Sequence, residues 1–253
     1  MTITKLTTRE SVSTVVRQLK SDNQSIGQVM TMGALHDGHL SLVRQSVAEN
    51  NETIATIFLN PTQFAPGEDL SRYPKTLEED LAKLDSEGVK YVFVPSNEEM
   101  YPEGFSTSVV PPAIAKNLEG EFRSTHFSGV ATVVLKLLNL VQPDKAYFGQ
   151  KDFQQALVIK RMVADLNVQT DICICPIARD TDGLALSSRN VYLSNEEREI
   201  ALSLNRTLEQ VQDQIEAGQR DGFEVITEMR QMLIDAGVER IDYAIVALSL
   251  IHI

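Results

Sequence analysis

The chain reads as an α/β protein built on a parallel sheet with helices on both faces, followed by a smaller α+β unit. Three features lead to this. Short runs rich in β-branched residues alternate with helical periodicity between residues 11 and 174. The apolar run over 26–32 ends in small residues, and a helical pattern follows directly. After Pro176 the alternation gives way to a glycine-containing turn and two long helical patterns.

Taken in order, residues 11–20 place Val12, Val15, Val16 and Leu19 on one helical face. Residues 26–32 predict a buried strand and residues 40–48 a helix. Residues 53–59, TIATIFL, predict a second strand, because β-branched side chains suit a pleated surface. Pro61 ends it, since proline lacks the N–H a ladder needs. A polar loop through Pro66 and Gly67 leads to a helix over 76–87 and a strand over 90–94. Residues 105–110 predict a short strand stopped by Pro111 and Pro112. The apolar stretch over 126–141 predicts a buried helix closed by Pro143. A strand over 145–148, a helix over 153–166 and a strand over 168–174 complete the alternation. Beyond Pro176, helices are expected over 195–217 and 223–236 and a strand over 240–247. The expected division is therefore residues 1–176 and 177–253.

The 253 residues are 43% hydrophobic, enough for one large domain or for a large and a small one. A formal net charge of -12 argues against non-specific binding to nucleic acid or an anionic membrane. Local cations can still oppose that charge at a nucleotide site. Residues 1–5 lack the apolar core of a signal peptide, and no run reaches the roughly 18 apolar residues that span a bilayer. Cys173 and Cys175 alternate onto one face of a strand, a poor geometry for a disulfide between them. A reduced cytoplasm is the expected compartment. There is neither a P-loop nor a G-x-G-x-x-G fingerprint, so any nucleotide must be held by other features.

The strongest such feature is His36-Asp37-Gly38-His39. It falls at a predicted strand–turn–helix junction, where unpaired backbone N–H groups and the positive end of the helix dipole favour phosphate. Gly38 lets a ligand approach the backbone. A His-x-x-His pair can also ligate zinc. The remaining His126, His252, Cys173 and Cys175 sit at no familiar zinc spacing from it, and no protein metal site is expected.

Gly149-Gln150-Lys151-Asp152, followed by Phe153, Gln154 and Gln155, lies at the next such junction. Lys151 offers a point charge to phosphate, while Asp152 and Gln155 offer hydrogen bonds to hydroxyls. A solvated helix start is the plain alternative. Leu186-Ser187-Ser188-Arg189, after the Asp182-Gly183 turn, adds two hydroxyls and a guanidinium suited to phosphate oxygens. Ser194 with Glu197 makes the better capping box for the following helix, which leaves Ser187 and Ser188 without a capping task. Asn60-Pro61-Thr62-Gln63-Phe64 presents amides on a stiff backbone, suited to a carboxylate and hydroxyls. The cations of Arg72 and Arg123 are near in sequence only, with surface loops as the alternative. The first, second and fourth of these motifs all follow strand ends, the rim where open α/β sheets bind ligands.

Together these segments resemble the pantothenate synthetase (pantoate–β-alanine ligase) family, of the HxGH nucleotidyltransferase superfamily. The resemblance rests on T-M-G-A-L-H-D-G-H at residues 31–39, F-L-N-P-T-Q-F at 58–64 and R-Y-P-K-T at 72–76. It continues through F-R-S-T-H-F-S-G-V at 122–130, F-G-Q-K-D-F-Q-Q at 148–155 and D-G-L-A-L-S-S-R-N at 182–190. It implies a Rossmann-like parallel sheet and a small C-terminal α+β lid domain. It also implies a two-step reaction: pantoate is adenylated by ATP with release of pyrophosphate, and β-alanine then displaces AMP to give pantothenate. Mg2+ is expected with the triphosphate, and the chain is expected to form a cytoplasmic homodimer.

The resemblance also implies roles for individual residues. His36, His39, Lys151, Ser187, Ser188 and Arg189 would stabilise charge during catalysis. Met32, His39, Gly149, Gln150, Lys151, Asp152, Ala178, Leu186, Ser187, Ser188 and Arg189 would contact ATP. Thr31, Met32, Asn60, Gln63 and Gln155 would hold pantoate. Met30 stands where the family has proline, and Gln150 where glutamate is common. The chain stops at residues 248–253, where family members continue into a further strand, so the lid is expected to be shortened at its end. Another acid-adenylating enzyme on this scaffold, or a catalytically weak ATP-binding protein, are the alternatives that turnover assays separate.

Overall fold

The computed structural model describes residues 3–247. It divides into two compact units, Met1–Ile177 and Ala178–Ile253.

In the first unit six strands form one sheet: β1 (Thr4–Leu6), β2 (Ile26–Thr31), β3 (Glu52–Ile57), β4 (Tyr91–Phe93), β5 (Lys145–Gly149) and β6 (Asp171–Cys175). Their order is β1-β4-β3-β2-β5-β6, and every pairing is parallel. The connecting helices are α1 (Arg9–Ser21), α2 (Asp37–Glu49), α3 (Leu77–Ser86), two short turns α4 (Asn97–Met100) and α5 (Glu119–Phe122), α6 (His126–Val141) and α7 (Phe153–Asp165).

Strand alternation sorts the sheet's side chains between two cores. Ile26, Ile54, Phe58, Phe93, Ala146 and Phe148 pack with residues of α1, α6 and α7. Val29, Ala55, Ile57, Val92, Tyr147 and Cys175 pack with residues of α2 and α3. Both faces are thus covered, as parallel sheets require. Cys173 and Cys175 do share a face, and both are free thiols. Two chain directions part between β2 and β5: β3 and β4 lie to one side, β6 to the other. Ligands of open α/β sheets bind beyond the strand ends at such a switch point.

The structure departs from the expected elements in three places. β1 carries no sequence signal, because its three residues are too few to show a period. Residues 105–110 do not form a strand. Val109 instead bonds to α6, where Thr132 Oγ1 accepts from Val109 N at 2.9 Å and Ser128 Oγ donates to Val109 O at 3.0 Å. The strand expected over 240–247 is also absent among the described residues. A strand needs a ladder partner, and the six-stranded sheet lies wholly in the other unit. The expectation for residues 248–253 falls outside the described residues.

The second unit is built on α8 (Asn195–Glu216) and α9 (Gly222–Asp235). Ser194 and Glu197 form the expected capping box of α8. Val211, Val225 and Met229 make a small core against which Ala244 packs. Ahead of α8 the chain folds into a turn, with Arg179 bridging to Ala185 and Arg198 pairing with both Asp180 and Asp182 at 2.7 Å.

Candidate active site

The turn between β2 and α2 bends through two residues of positive φ, Gly33 at 89° and Ala34 at 52°. Glycine adopts this freely; alanine does so at a cost of about 1 kcal/mol or more. A buried carboxylate holds the turn. Asp80 of α3 accepts from Ala34 N at 2.9 Å and Leu35 N at 2.7 Å. One turn on, Lys83 Nζ donates to Leu35 O at 2.7 Å. Thr31 is buried, and its hydroxyl donates to Thr56 O and accepts from Gly33 N. Its hydroxyl therefore serves the turn.

This bend delivers His36 to the N-cap of α2. The two imidazoles cap the helix reciprocally. His36 Nδ1 accepts from Gly38 N at 3.1 Å, and His39 Nδ1 accepts from His36 N at 3.3 Å. A nitrogen that accepts carries no proton, so each neutral ring carries its proton on Nε2. Electrostatics keep both rings neutral. Burial lowers the pKa of His39 to about 3, reinforced by His36, Lys151 and Lys83. Burial also lowers His36, with Lys151 and Lys83 adding to the effect and Asp37 opposing it. The ring centroids lie 4.0 Å apart. Two neutral N–H donors and two lysines thus gather at a helix N-terminus, an anion site inside an acidic protein.

β5 ends beside it at Gly149, where an added Cβ would meet nothing within 4 Å. Packing does not demand glycine there, so the open backbone suits a ligand's approach. Gln150, Lys151 and Asp152 form a 3-10 turn and are all exposed, with Lys151 Nζ 3.4 Å from Asp152 Oδ1. Gln155 is half-buried in the first turn of α7. Its neighbour Gln154 turns away to bond Ile114 O and Asn117 O.

The loop after β3 forms the third wall. Asn60 is buried and caps a 3-10 turn over Pro61–Gln63. Its Nδ2 donates to Gln63 Oε1 at 3.1 Å, and Gln63 Nε2 lies 3.1 Å from Met32 Sδ. The loop is clamped from behind. Arg123 pairs with Glu68 at 2.6 Å and donates to Gln63 O, which also meets His126 Nδ1 at 2.9 Å. Gly129 of α6 sits so close that a Cβ there would come within 2.3 Å of Thr62 O. Arg123 is thus a structural cation holding this loop rather than part of a surface loop.

The remaining predicted residues lie in the second unit. Leu186 N donates to Ala178 O at 3.0 Å across the turn. Ser187 has a capping task after all: its hydroxyl accepts from Arg189 N at 3.2 Å at the head of a 3-10 turn over Ser188–Tyr192. Sequence reasoning missed Asp80 and Lys83, and also Tyr101, whose hydroxyl donates to Asn60 Oδ1 at 2.7 Å. Nothing in a linear reading marks Asp80 as buried, because acidic residues are common in first turns. Among the described residues no group of three His, Cys, Asp or Glu side chains could hold a metal ion, and no helix is long and apolar enough to cross a membrane.

Neutral imidazole donors, lysines and a helix N-terminus at the switch point of a parallel sheet define an α/β enzyme of the phosphate-handling, nucleotide-using class. Comparison with known proteins narrows this. The chain belongs to the pantoate-beta-alanine ligase family, whose sequence profile matches residues 4–250. It is 52% identical over 234 residues to the pantothenate synthetase of Caldicellulosiruptor bescii, covering 92% of this chain and 83% of that protein. It is 53% identical to the one from Roseiflexus castenholzii over 223 residues, 88% of this chain and 80% of that one. The crystal structure of pantothenate synthetase from Thermus thermophilus superposes with a TM-score of 0.90 at 44% identity, covering 95% of this chain and 86% of that one. Pantoate-beta-alanine ligase from Francisella tularensis, complexed with beta-gamma ATP and beta-alanine, gives 0.79 at 37% identity, over 91% and 86%.

Proposed function

We propose that this chain condenses pantoate with β-alanine at the expense of ATP, yielding pantothenate, AMP and pyrophosphate through a pantoyl-adenylate. The observation that carries the reading is the pair of neutral Nε2–H imidazoles beside Lys151 and Lys83, facing the same strand-end rim as Gln63 and Met32.

In the first step a pantoate carboxylate oxygen attacks the α-phosphorus of ATP. The bond to the bridging oxygen breaks and pyrophosphate leaves with the electron pair. A carboxyl group with an ordinary pKa near 4 is already ionised at neutral pH, so no general base is required. The task is positioning and stabilising charge on the phosphates. Neutral Nε2–H donors do this without the reorganisation that proton transfer would need. His36, His39 and Lys151 are assigned to the phosphates, Gly149, Gln150 and Asp152 to the nucleotide, and Met32 to both ligands. Asn60, Gln63 and Gln155 are assigned to pantoate. Thr31 is assigned to pantoate with them, although its hydroxyl is engaged by Thr56 O and Gly33 N. Ser187, Ser188 and Arg189, with Ala178 and Leu186, are assigned to ATP, and the second unit to the role of a lid. Mg2+ arrives with the triphosphate as part of the substrate. In the second step the β-alanine amine attacks the acyl carbon, the bond to AMP breaks, and the amine proton passes to solvent. The chain is assigned to the cytoplasm as a homodimer.

The test is exchange of labelled pyrophosphate into ATP without β-alanine. Exchange that requires pantoate supports the acyl-adenylate. Folded protein that binds ATP but exchanges nothing with pantoate overturns the reading, and a panel of other small hydroxy acids then names the true acid.

A further inference from the structure

We infer that Tyr101 is a positioning residue for acid recognition, setting through Asn60 which end of the Gln63 amide faces the substrate; this rests on the functional reading above. Tyr101 follows α4 and lies 41 residues from Asn60 in sequence, outside all of the strand-end motifs. Its hydroxyl donates to Asn60 Oδ1 at 2.7 Å. The other donors to that oxygen are Thr62 Oγ1 at 3.0 Å and Thr62 N at 3.3 Å, which belong to the same loop and move with it. Tyr101 therefore ties the amide oxygen to a different segment, while Gly129 O of α6, 3.4 Å from Nδ2, holds the nitrogen side; the Tyr101 hydroxyl also lies 3.4 Å from Thr62 Oγ1.

The consequence runs along the chain of amides. With Oδ1 facing these donors, Asn60 Nδ2 must face Gln63 Oε1, 3.1 Å away. An N–H group there fixes Gln63 with its carbonyl inward. Gln63 Nε2 is then the end presented on the Met32 side. Donors facing a ligand select oxygens that accept, as in a carboxylate or a hydroxyl lone pair, and disfavour an amide or ammonium end. A reversed Gln63 would offer an acceptor and repel a carboxylate.

The tyrosine itself is well braced. Phe58 and Phe105 rings lie 6.1 and 5.1 Å from its own, and Lys136 Nζ sits 4.5 Å over the Phe105 ring. Burial raises the Tyr101 pKa, so the hydroxyl keeps its proton and remains a donor. Its ring packing and its hydroxyl bond can thus be separated by substitution.

The experiment is pantoate-dependent pyrophosphate exchange with Tyr101→Phe, in the full chain. The expected result is a KM for pantoate raised about tenfold, with kcat and the KM for ATP little changed and the thermal midpoint retained. Phe105→Leu, which trims the packing and spares the hydroxyl, should leave the pantoate KM alone. In a Gln63→Ala background the Tyr101→Phe effect should vanish, because the amide it orients is gone. An unchanged pantoate KM in Tyr101→Phe, an equal rise for ATP, or an undiminished effect without Gln63 each overturn the inference. If the unmodified chain shows no pantoate-dependent exchange, the functional reading itself fails.

Discussion

At the scale of single residues, the capping geometry of the two imidazoles fixes where their protons are, on Nε2. His39 uses one ring nitrogen to accept from His36 N and keeps the other as a donor. Its substitution therefore has two separable consequences. His39→Ala removes one cap bond, costing about 1 kcal/mol of stability. In the proposed role it also removes a donor to developing charge, which typically costs about 3 kcal/mol, or ~10²-fold in rate. The expected outcome is a pyrophosphate-exchange rate reduced at least that much with the KM for ATP nearly retained. An unchanged rate would remove His39 from the phosphate site. Much of this constellation is legible in the sequence, since His36, His39, Lys151 and Gln63 stand directly after strands in the chain. The residues that aim them are not. Asp80 and Tyr101 act on partners more than 40 positions away, across folds of the chain that no local pattern encodes.

At the scale of elements, α2 is capped at its N-terminus by the same two imidazoles that are proposed to hold phosphate. An imidazole at the N-cap, His36, paired with a second at N3, His39, is unusual beside serine or aspartate, and the pair makes this helix start pH-dependent. The folded pKa of His39 is about 3 against 6.5 for the free side chain. Between these values the unfolded chain binds more protons than the folded one, so stability rises with pH across that window. The contribution is complete above pH 6.5 and is lost as pH falls toward 3. From about pH 7 to about pH 5 the loss is about 2 kcal/mol. His39→Gln does not titrate there, so the unmodified protein should lose about that much more stability than the variant over the same range. Urea unfolding at the two pH values checks this, and parallel losses in the two proteins would refute it. Helices are the most legible elements because 16 residues such as those of α6 carry several turns of pattern. Residues 105–110 and 240–247 mislead for one shared reason. Apolar β-branched runs specify an extended chain only when a neighbouring strand is there to pair with it, and pairing is a tertiary fact.

At the scale of the whole molecule, the sheet's two cores contain one feature at odds with their function as cores. Gln28, in the middle of β2, is fully buried on the α1/α6/α7 side, flanked in register by Ile54 and Ala146. Neither its Oε1 nor its Nε2 has a hydrogen-bond partner, and nearby Thr56 Oγ1 on β3 has none either. An unsatisfied buried amide costs about 1–3 kcal/mol, because folding strips its water and returns nothing. Methionine has similar length and no such demand, and its flexibility lets it fit without overpacking. Gln28→Met is therefore expected to raise the unfolding free energy by about 1–3 kcal/mol, moving the urea midpoint upward with the m-value unchanged. Because Gln28 lies at the centre of β2 and the imidazoles follow that strand's end, pyrophosphate exchange should keep its rate. A loss of stability would instead mean that the amide is satisfied in solution. The polar pair Gln28 and Thr56 would then enclose an ordered water, which the methionine side chain displaces.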